Sequence, residues 1–140
     1  MTTTHRQVRV RANGMDARVD AGLADLIREC WRTGIPTIMS CENQGKMNGS
    51  TCDMAWLYLW AAAGERLLDI VTDGLLGSGI PGMFARIHHT CDLEDKGTEW
   101  QYEVQLRYPA GLRLALAIRF PVEDIPLITE RLRTNNRTAR

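Results

Sequence analysis

Residues 100–120, WQYEVQLRYPAGLRLALAIRF, decide the fold. Trp100, Tyr102, Val104, Leu106 and Tyr108 alternate with Gln101, Glu103, Gln105 and Arg107. After Pro109-Ala110-Gly111, Leu112, Leu114, Leu116, Ile118 and Phe120 alternate with Arg113, Ala115, Ala117 and Arg119. A period of two puts successive side chains on opposite faces of a strand. The two runs therefore predict a β-hairpin with one apolar face. A three-residue loop pairs Tyr108 with Leu112 and keeps both apolar sets on one side. A two-residue loop would set Leu106 against Arg113, so the register favours the longer one. Arg107 then lies across from Arg113, and Gln101 across from Arg119.

Pro121 ends this strand, and a helix is predicted from about Asp124 to Arg133, with Ile125, Ile128 and Leu132 inward. Residues 134–140 read as a frayed polar tail. Upstream, Phe84 to Thr90 reads as a strand and Leu93 to Thr98 as a charged turn. A helix from Ala61 to about Leu76 buries Leu67, Leu68, Val71 and Leu75, and Gly74, Gly77 and Gly79 end it. It follows a bulky aromatic strand, Met54 to Trp60. That strand is apolar on both faces, so it is central in the sheet or meets another subunit.

Near the start, Val8 and Val10 alternate with polar neighbours as a half-buried strand, broken by Asn13-Gly14. Val19, Leu23, Leu26, Ile27, Cys30 and Trp31 form a helical stripe, predicting a helix at about 18–33 capped by Asp16 or Asp20. Gly34 suits the left-handed position after a helix, and Pro36 prevents continuation. Ile35 to Met39 reads as a short strand, and residues 42–52 as an exposed polar loop. The order is β-α-β-β-α-β-β-β-α. It predicts one α+β domain over residues 1–140, an antiparallel or mixed β-sheet with about three helices packed on one face.

Composition bounds the function. The chain has 140 residues, 17 basic and 17 acidic, with 44% hydrophobic and 24% charged residues. Zero formal net charge argues against bulk nucleic-acid binding, which favours strongly basic domains. Only Lys46 and Lys96 are lysine; the other basic residues are arginine, suited to forked recognition of carboxylate or phosphate. A GC-rich genome also explains that bias. No apolar run approaches the ~18–20 residues of a membrane span, and Met1 to Arg11 lacks the apolar core of a secretory signal. The four cysteines are too few for a disulfide scaffold, so a cytoplasmic protein with reduced thiols is expected.

Three places can carry chemistry. The first is the arginine-bearing hairpin face, Arg107, Arg113 and Arg119, joined by Arg9 and Arg11 if the first strand is adjacent. Opposed like charges destabilise a sheet unless solvated, neutralised by a carboxylate, or clamping an anion. The second is the strand end Ser40, Cys41, Glu42, Asn43 and Gln44, where ligand contacts are common. Cys41 is a nucleophile only with a base nearby, for which His88 or His89 is available. Gly45-Lys46 lacks the remainder of a phosphate-binding loop. The third is a zinc site from Cys41, Cys52, His88 or His89, and Cys91. The absence of any Cys-x-x-Cys weakens it, so no metal or cofactor is expected.

Val19 to about Trp60 resembles a group of small, uncharacterised bacteriophage and actinobacterial proteins. Their pattern is a helix, then Gly-Ile-x-Thr-x-x-Ser-Cys-Glu/Gln, a polar loop, a strand and a helix. Here it is Gly34-Ile35-Pro36-Thr37-Ile38-Met39-Ser40-Cys41-Glu42. Ile118 to Pro126 is similar to the group's closing strand-Phe-Pro-helix. A more distant likeness is to the wybutosine-synthesising tRNA methyltransferase family, with its Ser-Cys-Ser-Gly loop. This chain has Ser40-Cys41-Glu42-Asn43 and no following Gly-Arg, so that activity is not carried over. The first resemblance implies a phage accessory protein that counters host defence by sequestering a nucleotide signal or binding a host protein. The expectation is a cytoplasmic homo-oligomer that captures a small anionic ligand. The alternatives are a Cys-dependent or zinc-containing enzyme centred on Cys41, and a protein–protein inhibitor using Trp56–Trp60.

Overall fold

Alternating strand patterns and amphipathic stripes fold as an α+β structure. The computed structural model describes residues 5–46, 52–72, 87–89, 100–107 and 113–138. In chain order these contain strands β1 (Gln7–Ala12) and β2 (Met15–Asp20), a 3-10 turn (Ala21–Leu23) and helix α1 (Ala24–Arg32). Strands β3 (Met39–Cys41) and β4 (Met54–Trp60) lead into helix α2 (Ala61–Thr72). Strands β5 (Ile87–His89), β6 (Trp100–Arg107) and β7 (Arg113–Pro121) follow, then a 3-10 turn (Val122–Asp124) and helix α3 (Ile125–Thr138).

The sheet expected to be antiparallel or mixed is mixed. Its five strands run in the order β3-β4-β7-β6-β5, and only the β5–β6 pair is parallel. Gln101 pairs with Arg119 and Arg107 with Arg113, the register predicted from the hairpin. Residues 108–112, the expected loop, lie outside the described residues, as do Leu75, Cys91 and the turn at 93–98.

Several expected boundaries are corrected, among them the short strand read at Ile35 to Met39, which is observed at Met39–Cys41. The helix predicted at 18–33 begins at Ala21, as a 3-10 turn, and is α-helical from Ala24; residues 15–20 are a strand. Asn13 (φ 51°) and Gly14 (φ 79°) both adopt left-handed backbone, the requirement of a two-residue hairpin turn. The chain therefore folds straight back on β1, with Val8 opposite Val19 and Val10 opposite Ala17. The observed order accordingly gains one strand over the predicted order. Neither Asp16 nor Asp20 caps the helix through its side chain; Asp16 pairs with arginines on β1. Gly34 (φ 80°) ends α1 as expected, with Gly34 N–H donating to Trp31 O and Ile35 N–H to Cys30 O.

One face of the five-stranded sheet buries Ala55, Leu57, Leu59, Ile118, Phe120 and Trp100 against the helices. Leu26, Ile27, Cys30 and Trp31 of α1, Leu67 and Val71 of α2, and Ile128 and Leu132 of α3 complete this core. Gly64 lets α2 approach β7 closely: a Cβ there would lie 2.7 Å from Leu116 Cδ2 and 3.2 Å from its Cβ.

Residues 134–138, expected as a tail, continue α3, because Asn136 reaches a polar core group on α1. Asn136 Nδ2 donates to Glu29 Oε1 (3.0 Å), and Thr33 Oγ1 lies 2.8 Å from Asn136 Oδ1. The Glu29 side chain, almost wholly buried, also accepts from Arg32 Nη1 at 3.0 Å. Hydrogen bonds to a charged group contribute about 1.5–3 kcal/mol. Asn136→Ala should therefore lower the melting temperature by roughly 3–12 °C, at about 2–4 °C per kcal/mol for a domain of this size. An unchanged melting curve would show that the α1–α3 latch contributes nothing.

Candidate ligand-binding face

The opposite face of the sheet carries the arginines. Across the strands, Cys41 of β3 pairs with Trp56 of β4, Trp56 with Arg119 of β7, and Arg119 with Gln101 of β6. His88 of β5 continues the row by register. Further along stand Tyr58, Ala117 and Glu103, then Trp60, Ala115 and Gln105. Small Ala115 and Ala117 make a floor that Trp56, Tyr58 and Trp60 pack against.

Aromatic rings and guanidinium groups organise this surface. Trp56 and Tyr58 stack with centroids 5.6 Å apart and 17° between planes. Arg113 lies over the Trp60 ring, its Cζ 3.9 Å from the centroid, a cation–π contact that leaves its fork exposed at the rim. Arg119 is different. Its Nε and Nη1 are removed from solvent and have no hydrogen-bond partner. Trp56 Nε1, on the cross-strand neighbour, is buried and unpartnered as well, and so is Gln44 Oε1. Most buried polar groups in proteins are hydrogen-bonded. Two adjacent side chains with unmet donors make a local demand for an acceptor.

The other expected site residues separate into two groups. Arg9 and Arg11 lie on β1, in the two-stranded sheet, not in the sheet that carries the β7 arginines. Arg9 holds Asp16 in a two-pronged contact (2.7 Å to each oxygen), and Arg11 Nε donates to Asp16 Oδ2 at 3.1 Å. The Arg9 hydrogen bonds hold the Asp16 carboxyl below the usual carboxylate range. These arginines are already matched to a carboxylate.

The Ser40–Gln44 segment turns toward β2. Ser40 pairs with Leu57 of β4. The Glu42 N–H donates to Asp20 Oδ2 (2.9 Å), and His5 Nε2 lies 3.0 Å from Asn43 O. Asn43 Oδ1 accepts from Gly45 N–H at 2.8 Å, and Gln44 N–H donates to Met54 O. Among the described residues, His5, Asp20 and Cys41 are the group whose ligand atoms all lie within 4.8 Å of one another. Of the expected zinc set this contains only Cys41. Cys52 Sγ contacts Met54 Sδ at 3.9 Å, and Cys91 and the side chains of His88 and His89 lie outside the description. Burial, aided by Asp20 and Glu42, raises the Cys41 thiol above its ordinary value, the reverse of an activated nucleophile. Cys30, expected as a buried thiol, is fully buried and pushed up to about 12.

Sequence reasoning missed His5 and Asp20. They stand 15 or more residues from each other and from Cys41, with no motif to join them, and Asp20 was expected to cap a helix. Only a strand at 15–20 brings them together. In comparisons with known proteins, no family model, no curated protein and no solved structure matches the chain. No helix among the described residues is long and apolar enough to cross a membrane.

Proposed function

We propose that the protein is a non-enzymatic binding protein that captures a small anionic ligand, a signalling nucleotide, on the outer face of its five-stranded sheet. The observation that carries this is the set of buried donors without acceptors on Arg119 and Trp56. Phosphate oxygens satisfy such donors, and arginine's planar fork matches them. The partly exposed Trp56 ring, backed by buried Tyr58, supplies aromatic surface of the kind on which nucleobases stack. The resemblance to phage proteins supports an accessory, anti-defence role in the host cytoplasm. Exposed Val104, Leu106 and Leu114 on the hairpin support a homo-oligomer.

Calorimetry with a panel of linear and cyclic nucleotides tests this. At least one should bind, and Arg113→Ala with Arg119→Ala should weaken it at least about tenfold, since a charge-assisted bond contributes roughly 1.5–3 kcal/mol. No binding across the panel, or binding indifferent to both substitutions, refutes the proposal.

A further inference from the structure

Three segments meet where β2 and β3 end. Asp20 closes β2, Cys41 closes β3, and His5 stands two residues ahead of β1, whose Gln7 pairs with Asp20. Their ligand atoms lie within 4.8 Å of one another. A tetrahedral zinc ion with bonds of ~2.0–2.3 Å separates its ligands by roughly 3.3–3.8 Å, so the group needs only about 1 Å of contraction to close on one.

Two further observations point to a cation. The first is charge. Asp20 is 6% exposed, and among the described residues neither it nor Glu42 pairs with an arginine or lysine. Buried carboxylates are normally matched by a cation or a metal. Glu42 Oε1 approaches His5 Nδ1 to 3.7 Å and so stands beside the group as a fourth donor. Gly22 makes room for it, since a Cβ at that position would overlap the Glu42 carboxylate.

The second is orientation. A carbonyl oxygen can only accept, so His5 Nε2 carries the proton shared with Asn43 O. Nδ1 is the ring nitrogen that faces Glu42, the one a metal would take. A histidine that ligates a metal typically donates its other N–H to a carbonyl or carboxylate in this way. Asp20 is likewise fixed in place, its Oδ2 accepting from the Glu42 N–H (2.9 Å) and its Oδ1 from Gln7 Nε2 (3.4 Å).

We propose that His5, Asp20 and Cys41, with Glu42 as fourth donor, form a binding site for a divalent cation of the zinc class. One thiol, one imidazole and two carboxylates select zinc or its neighbours over calcium and magnesium, which take all-oxygen shells. The site adjoins the arginine face, since Cys41 pairs with Trp56. It ties the N-terminal hairpin to the edge strand of the large sheet.

The test uses the full chain, stripped with chelator and titrated with zinc, with cobalt(II) as the spectroscopic probe. One metal per chain is expected, and the cobalt form should show thiolate-to-metal charge transfer. Cys41→Ser should abolish that band and weaken zinc binding at least ~100-fold, the upper end of what losing even an outer-shell partner costs. Asp20→Asn, which keeps an acceptor for the Glu42 N–H, should weaken zinc while circular dichroism stays unchanged. Cys52→Ser should change neither band nor affinity. Sub-stoichiometric zinc in the wild-type chain, a cobalt form without charge transfer, or equal affinity in Cys41→Ser and wild type overturns the proposal.

Discussion

Trp100→Ala is expected to lower the melting temperature by roughly 6–20 °C. Trp100 is 1% exposed and opens β6. Its ring packs on Phe120 of β7, centroids 5.1 Å apart and tilted by 31°. Its indole N–H donates to Asp124 Oδ2 at 2.8 Å, and Asp124 is itself buried at the turn before α3. One side chain therefore fills the core between sheet and helices and fixes where α3 leaves the sheet. Removing a buried tryptophan costs about 3–5 kcal/mol, and the conversion for a domain of this size is roughly 2–4 °C per kcal/mol. Trp100→Phe separates the two contributions. It keeps a ring against Phe120 but gives up the bond to a charged acceptor, for about 1.5–3 kcal/mol. Thermal unfolding of both variants checks this. If the phenylalanine variant melts with the alanine variant, the hydrogen bond and not the packing dominates at this position.

Trp100 was legible as core because the hairpin carries a strict alternation on both strands, and a slip by one residue would bury arginine. The same logic placed Arg113 and Arg119 together on the outer face. Local strength failed at Asn13-Gly14. Taken as the end of a strand, it is instead the hairpin turn itself, and the short return strand MDARVD is too polar to announce its face: of its residues only Val19 and Asp20 are buried. The helical stripe beginning at Val19 masked it. At the other terminus, TNNRT has tail-like composition, and its helix depends on contacts that Asn136 makes 103 and 107 residues away. Such a dependence on tertiary partners leaves no local pattern. The His5, Asp20 and Cys41 group was invisible for both reasons together: it needs β2 to be a strand, and it joins residues that no short motif connects.

Arg119→Met is expected to stabilise the ligand-free protein while it destroys ligand capture. The sign follows from the unmet donors. Arg119 Nε and Nη1 lie out of solvent with no acceptor, next to an equally unmet Trp56 Nε1. Polar donors held out of solvent without acceptors cost more than a packed apolar chain of similar length. Methionine is flexible enough to follow the arginine stem across the alanine floor. Leaving a buried donor unsatisfied costs about 1–3 kcal/mol, which the substitution removes. Urea unfolding of the ligand-free variant should therefore show a higher midpoint at unchanged slope. The nucleotide that binds the wild type should at the same time lose its hold. A residue kept at a cost to stability, in exchange for binding, is what a functional site looks like energetically. The opposite result, a lower midpoint, would mean that Arg119 holds the sheet together through its own contacts, and the proposed ligand face would lose its central donor.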